Sequence, residues 1–379
     1  MTPRYHLAVI GLGGVGSAVA WHVARRGRRV VGFEQFGAGH DRGSSHGQTR
    51  MVRQAYYEDP RYVPLLVRAY ALWDELESLT GRPALVRTGG LMVGRPDGPV
   101  VAGTLASAER WGIPHQLLDA DEVTRRFPTF RLGAGEVAVH EPSAGFVSPE
   151  ATVSAHLDLA AAAGATLRFD TPVLGWDLDG GQIRVHTSTG PAVAERLAIC
   201  AGPWSARLLG GIELPLAVER QVVHWFVPRR HKAAFAVGRH PVYLWELAEG
   251  TELYGFPLLA GDTAAKVAFF HDGRPADPDH LDRQVTASEA DPLRAELADR
   301  LPDLAGRWRA GSACMYTSTP DQHFAIGPLP GTDGRVTVAA GFSGHGFKFV
   351  PVVGEIVADL VTTGASPLDL SLFEPTRFS

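Results

Sequence analysis

The stretch that most constrains this chain is Leu7-Ala8-Val9-Ile10-Gly11-Leu12-Gly13-Gly14-Val15-Gly16-Ser17-Ala18. A short apolar run meets glycines in the spacing Gly-x-Gly-x-x-Gly at Gly11, Gly13 and Gly16, and a helical pattern follows at once. Strand, tight turn and helix in that order form the context in which this spacing builds a dinucleotide site, rather than a turn that only packs a helix on a sheet. Gly11 permits the turn, Gly13 lets the backbone approach a pyrophosphate, and Gly16 lets the helix lie close to the strand. Gly14 and Val15 then present the free N–H groups and partial positive charge of a helix N-terminus to the phosphates. A helix is expected over residues 15–26, stopping at Gly27, followed by a strand over 29–34 that ends in Glu34 and Gln35. Glu34 stands where a carboxylate accepts from the adenosine ribose hydroxyls, and it argues against the extra phosphate of NADP.

Composition narrows the class. A chain of 379 residues suggests two or three domains, and 45% hydrophobic with 20% charged residues reads as an ordinary globular protein. The net charge of −5 gives no basic face, so nucleic acid is not an expected partner. No apolar run is long enough for a bilayer, and no targeting segment precedes the first strand, so a cytoplasmic protein is expected. Cys200 and Cys314 are the two cysteines; they are far apart and form no Cys-x-x-Cys pair, so neither a disulfide framework nor a metal site is expected.

Residues 35–53 crowd glycines, the hydroxyls of Ser44 and Ser45, His46 and three arginines into a segment too polar for core. It reads as a loop that wraps an anion, the plainer alternative being a solvated surface loop, with Arg50 and Arg53 opening a helical pattern. Helices follow over 62–77 and 100–111, separated by a hairpin or pair of short strands at 84–94. Ser148 before Pro149 marks an N-cap, with the helix running to about 163. A hairpin spans 173–187, opening at Val173, and a buried strand at 195–200 runs into Ala201-Gly202-Pro203-Trp204. That Ala-Gly ending suits a second approach of backbone to the same dinucleotide. Residues 219–317 are strand-rich, with one helix near 292–301, and suggest an antiparallel sheet. A last strand meets the glycine-rich loop Gly341-Phe342-Ser343-Gly344-His345-Gly346-Phe347-Lys348, and a helix follows to about 360. The expected architecture is α/β (α+β overall): a Rossmann-type dinucleotide domain from 1–85, 148–218 and 318–379, and a discontinuous second domain on an antiparallel sheet from 86–147 and 219–317. Such interruptions fit a flavoprotein better than an NAD dehydrogenase, which remains an alternative.

The sequence resembles the monomeric sarcosine oxidases and N-methyltryptophan oxidases, FAD enzymes that oxidise secondary amines of amino acids. The resemblance spans the whole chain. It is carried by the fingerprint with Glu34, by Gly43-Ser44-Ser45-His46-Gly47-Gln48-Thr49-Arg50, by Arg53 with Tyr56, by Ala313-Cys314-Met315-Tyr316-Thr317 with Thr319-Pro320-Asp321, and by the 341–349 loop. It implies FAD bound covalently through its 8α-methyl group to the Cys314 thioether, with Cys200 left as a buried small hydrophobe. It implies a clamp of Arg53 and Lys348 on the substrate carboxylate. His46, Arg50 and the 344–348 amides would stabilise charge on the ring, Tyr316 would sit at the site, and Lys266 would promote electron transfer to O2. Tyr254 keeps the family's aromatic wall, whereas Trp245 replaces a smaller methionine-type side chain and would narrow the pocket, unless both rings are sheet core. The family's histidine four residues after the lysine is Phe270 here, with His271 one later, so either a bulge restores His271 to the site or that histidine is missing. The implied activity is oxidation of a small secondary or N-methyl amino acid to an imine by a monomeric enzyme, with O2 reduced to H2O2. The alternatives are an oxidase or dehydrogenase of a cyclic imino acid, and an electron-transfer subunit without turnover of its own.

Overall fold

Strand Arg4–Ile10 is flanked in parallel by Val30–Phe33 on one side and Ala192–Ile199 on the other, and its last four residues are buried. These strands belong to a computed structural model that describes residues 4–247 and 250–378. The chain ends 1–3 and 379, and residues 248–249 of the expected second domain, lie outside the described residues. The first sheet has eight strands, running Val173–Asp179, Gln182–Thr187, Ala192–Ile199, Arg4–Ile10, Val30–Phe33, Thr166–Arg168, with Val336–Ala340 and Ala325–Pro328 joined at Ala192–Ile199. Its central strands are near-continuous runs of small and branched apolar residues, as parallel strands covered on both faces require. Helices Gly14–Ala24, Pro149–Ala162 and Val350–Thr363 pack together over one face. Close approach there is set by Gly354, where a Cβ would lie 2.6 Å from the Ala18 Cβ. The Ser148 hydroxyl caps helix Pro149–Ala162 by accepting from the Ala151 amide, with proline at the first helical position.

A second, nine-stranded sheet runs Arg274–Pro275, Ala217–Val227, Ala265–Phe270, Glu252–Gly255, Val242–Glu246, Gly90–Gly94, Val137–Glu141, Gln116–Leu118, and Arg307–Ser318 pairs with Ala217–Val227. All its pairings are antiparallel except Val242–Glu246 with Gly90–Gly94. The ribbon made by Ala217–Val227 and Arg307–Ser318 carries residues of this sheet to the first, with Gln221 opposite Cys314 and Arg220 opposite Met315.

One expectation changes and another is narrowed. Arg50 does not open a helix: Arg50–Val52 is a short strand pairing with Gly145–Val147, which also holds Leu85–Arg87 in a three-stranded sheet. The helical spacing of the arginines was outweighed by this long-range pairing. Of the two readings of residues 84–94, the hairpin falls and the pair of short strands holds: Leu85–Arg87 and Gly90–Gly94 belong to different sheets. Among the described residues no helix is long and apolar enough to cross a membrane.

Candidate active site

The first glycine of the fingerprint has φ +86°, and a Cβ there would lie 2.6 Å from the Cys200 carbonyl oxygen. Gly16 is tighter still, with the Gly11 carbonyl oxygen 1.8 Å from where its Cβ would sit, so Gly16 serves packing and faces no cavity. A Cβ on Gly13 would meet only the Ser45 hydroxyl, at 3.5 Å, which leaves its backbone open to a ligand. Gly11 and Gly13 edge a cavity of about 320 Å³ also lined by Gly14, Val15, Glu34, Gln35, Ser44, Ser45 and Val173. Ala201, Gly202, Trp204, Met315, Phe342, Gly344 and Gly346 close it from the other strands. The Glu34 carboxylate is held by the Leu12 amide at 2.9 Å and the Phe36 amide at 3.2 Å, with His40 Nε2 at 3.3 Å. The Ser44 hydroxyl donates to the Met315 carbonyl at 2.7 Å, and the Gly14 amide to the Ser45 hydroxyl at 3.1 Å. An anion-ready helix N-terminus, a backbone opening at Gly13 and an acid at the end of the second strand are the donor set an adenine dinucleotide requires.

A smaller cavity of about 70 Å³ adjoins the first, and Arg50, Tyr316, Gly344 and Phe347 line both. One end of it is charged. Arg53, 3% exposed, donates to both oxygens of Glu58 at 2.8 Å and to the Ala55 carbonyl at 3.0 Å. Its guanidinium lies 4.5 Å from the Tyr56 ring centre and 4.7 Å from that of Tyr57. Burial opposes charge on both partners, but their pairing holds Arg53 above and Glu58 below their ordinary pKa values. Lys348 donates to the His345 carbonyl at 2.9 Å and the Tyr56 hydroxyl at 3.4 Å; burial and the Arg53 charge push its pKa down to about 7. Most of the remaining wall is apolar or aromatic, with Met51, Val223, Leu244, Tyr254, Phe256 and Phe270 beside the polar Gln221.

Cys314 lines this cavity beside the shared residues. Its sulfur is 3.6 Å from Arg50 Nη2 and 3.7 Å from the Ser44 carbonyl. Burial works to raise its pKa, but His46 and Arg50 outweigh it and leave the thiol at about 7. Cys200, buried without such neighbours, is pushed up to about 12. Lys266 donates to the Gly47 carbonyl at 2.8 Å and the Thr49 carbonyl at 2.6 Å, and sits 4.4 Å from the Phe256 ring centre. It therefore pins the loop that carries His46 and Arg50 to the sulfur. Burial, then the Arg50 charge, hold its amine well below the ordinary lysine pKa.

Trp245 is not in the pocket. Its ring is fully buried in the core of the second sheet, stacked near Phe130, with Nε1 donating to Glu136 at 3.0 Å. Strand alternation gives the cavity to Leu244 instead. Phe270 lines the cavity, and the strand ends there; His271 has φ +56° and turns its ring 5.6 Å from that of Tyr316. A left-handed residue after the strand, rather than a bulge within it, brings both side chains against Tyr316. His345 lines the smaller cavity rather than the larger. Sequence reasoning missed Glu58, Tyr57, Gln221, His40 and the Leu12 amide. Glu58 had a signal, a carboxylate five residues after Arg53; a backbone amide has none.

Residues 6–360 match the family described as FAD dependent oxidoreductase. The chain belongs to that family. It is 50% identical over its whole length to monomeric sarcosine oxidase from Streptomyces avermitilis, covering 99% of that protein. It is 34% identical to N-methyl-L-tryptophan oxidase from Salmonella newport, covering 99% of this chain and 100% of that one. Among solved structures it is similar to NikD, described as an unusual amino acid oxidase essential for nikkomycin biosynthesis, with 27% identity, TM-score 0.87, and 99% and 98% of the two chains covered. The chain is a FAD-dependent amine oxidoreductase.

Proposed function

We propose that this enzyme oxidises the C–N bond of a secondary or N-methyl amino acid to an imine and passes the electrons to O2, releasing H2O2. The observation that carries the reading is the shared wall: a buried guanidinium and a buried lysine lie in a small, mostly apolar cavity adjoining the larger cavity, which the reading gives to FAD. FAD, when bound, supplies the two-electron acceptor. Arg53 and Lys348 hold the substrate carboxylate, which competes with Glu58 for the guanidinium. The apolar wall then excludes water and disfavours an ammonium, so the neutral amine is the reactive form and the rate rises with pH. Tyr254 and Tyr316 border the place of reaction. Cys314 attaches FAD by a thioether, a role supported by its low thiol pKa in the wall of the smaller cavity, next in the chain to Met315 of the larger. Lys266, a buried amine beside the same loop that is held well below the ordinary lysine pKa, supplies positive charge to the step with O2 as it takes up a proton. The sheet holding Arg4–Ile10 and the sheet holding Ala217–Val227 act as the FAD and substrate domains.

The test is an anaerobic screen of amino-acid amines for bleaching of the visible band of the purified enzyme, followed by admission of air and assay of peroxide. A yellow protein bleached by N-methyl amino acids, with formaldehyde as co-product, supports the proposal. A protein without that colour overturns it, and a cyclic imine as product moves the substrate to the cyclic imino acids.

A further inference from the structure

Lys348 is 6% exposed, in the wall of the smaller cavity. Both of its hydrogen-bond partners are neutral. The His345 carbonyl accepts at 2.9 Å and the Tyr56 oxygen at 3.4 Å. The direction of the second bond is fixed by what lies beyond it. His345 Nε2 is 3.0 Å from the Gln322 carbonyl, which only accepts, so that nitrogen carries the ring proton. Nδ1 is then an acceptor, and the Tyr56 O–H, 2.6 Å away, donates to it. The Tyr56 oxygen is left to accept from the lysine. Two acceptors satisfy a neutral amine as well as an ammonium, and Lys348 itself lines the cavity.

The charged and titratable groups around this amine are few. Arg53, Tyr56 and Glu58 come from the segment after strand Arg50–Val52, and His345 from the lysine's own loop. Glu58 gives both oxygens to Arg53, and among the described residues no carboxylate stands within ion-pair distance of Lys348. A buried ammonium with no counterion, beside a guanidinium, is disfavoured against the neutral amine. The neutralising anion must come with a ligand.

We infer that Lys348 is a proton acceptor coupled to substrate entry: buried without a counterion in the free enzyme, it gains one proton as a carboxylate arrives. The inference rests on the reading of this cavity as an amino-acid site. For a zwitterionic secondary amino acid the balance closes inside the cavity. The N–H bond of the substrate ammonium breaks, an N–H bond on Lys348 forms, and the total charge is unchanged. One transfer frees the nitrogen lone pair needed for oxidation and turns the lysine into the counter-charge of the carboxylate. Lys348 thus prepares the amine and completes the clamp in the same step.

The holoenzyme is titrated with acetate, a carboxylate without an amine, by calorimetry at about pH 8.5 in two buffers of different ionisation enthalpy. Uptake of close to one proton per acetate is expected, with affinity falling about tenfold for each pH unit above about 8. Lys348→Arg, permanently charged, is expected to bind acetate with no uptake and a flat pH profile. Should that variant not fold, Lys348→Met replaces it, again with no uptake at whatever acetate concentration it needs. Acetate binding without proton uptake in the unaltered enzyme, or uptake that persists in the variant, overturns the inference. Failure of acetate to bind at any pH is a different result: it removes the amino-acid reading of the cavity, and this inference with it.

Discussion

Arg53 and Glu58 form an ion pair in which one guanidinium nitrogen lies 2.8 Å from each carboxylate oxygen, in the wall of the cavity proposed for the substrate. The guanidinium that the substrate carboxylate needs already has a carboxylate on it. Glu58→Gln weakens that internal competitor, so KM is expected to fall several-fold with kcat little changed. The same substitution leaves a buried charge without its partner, and unfolding in urea is expected to become easier by about 3 kcal/mol. An unchanged KM with lowered stability would show that Arg53 does not exchange carboxylates.

Cys314 differs from Cys200 in having His46 and Arg50 beside it. Cys314→Ser is expected to bind FAD that acid precipitation releases into the supernatant, whereas the unaltered protein keeps its colour in the pellet. The thiolate is the nucleophile, and its fraction grows as pH rises through about 7, so attachment during reconstitution is expected to quicken from pH 6 to 8 and then level off.

Lys266 is the buried amine tied to the Gly47 and Thr49 carbonyls. Lys266→Met is expected to slow the return of colour on admitting air by about 100-fold or more, the scale for losing one fixed electrostatic group. Anaerobic bleaching by substrate is expected to change much less. Stopped-flow measurement of the two half-reactions separates them, and equal slowing of both would assign Lys266 to substrate handling.

Neighbouring residues on one strand are expected to behave oppositely. Trp245→Phe loses the hydrogen bond to Glu136 in the core, costing about 1 kcal/mol of stability while leaving KM unchanged. Leu244→Ala enlarges the cavity and is expected to raise kcat/KM for bulkier amines over smaller ones. A Trp245 variant with altered substrate preference would contradict the placement of its ring.

Stability is expected to fall on mild acidification through the buried histidines. Burial holds His156 at about 4 and His240 and His345 at about 3, below the ordinary histidine value. A group depressed in the folded state contributes stability that is whole above its unfolded pKa, near 6.5, and lost as pH falls toward the folded value. Urea midpoints are therefore expected to hold from pH 8 to 7 and to drop steeply from about 6 to 4. Replacing His240 by Phe, against which Phe130 already stacks, is expected to shallow that drop.

The dinucleotide end was legible because its chemistry is local. Gly11, Gly13, Gly16 and Glu34 act through spacings within one strand–helix–strand unit, and such spacings survive in a bare sequence. The substrate end was legible as a set of residues through a family resemblance, and less so as an arrangement. Trp245 and Phe270 were uncertain because a strand's inward face depends on register against partners far along the chain, and His271 because a left-handed residue resets the alternation. Arg50 looked helical because periodicity cannot see a partner at Val147. The tie between Lys266 and the 47–49 loop joins residues more than 200 positions apart, and nothing in either segment announces it.

The four residues common to both cavities bear on how such an enzyme diversifies. With the larger cavity taken for FAD and the smaller for the substrate, a change at Arg50, Tyr316, Gly344 or Phe347 would disturb the prosthetic group and the reactant together, so drift there would be penalised twice. Val223 and Leu244 touch only the reactant's compartment. New amine preferences within this lineage therefore have their open route through the sheet wall, while the partition between the two chambers stays fixed.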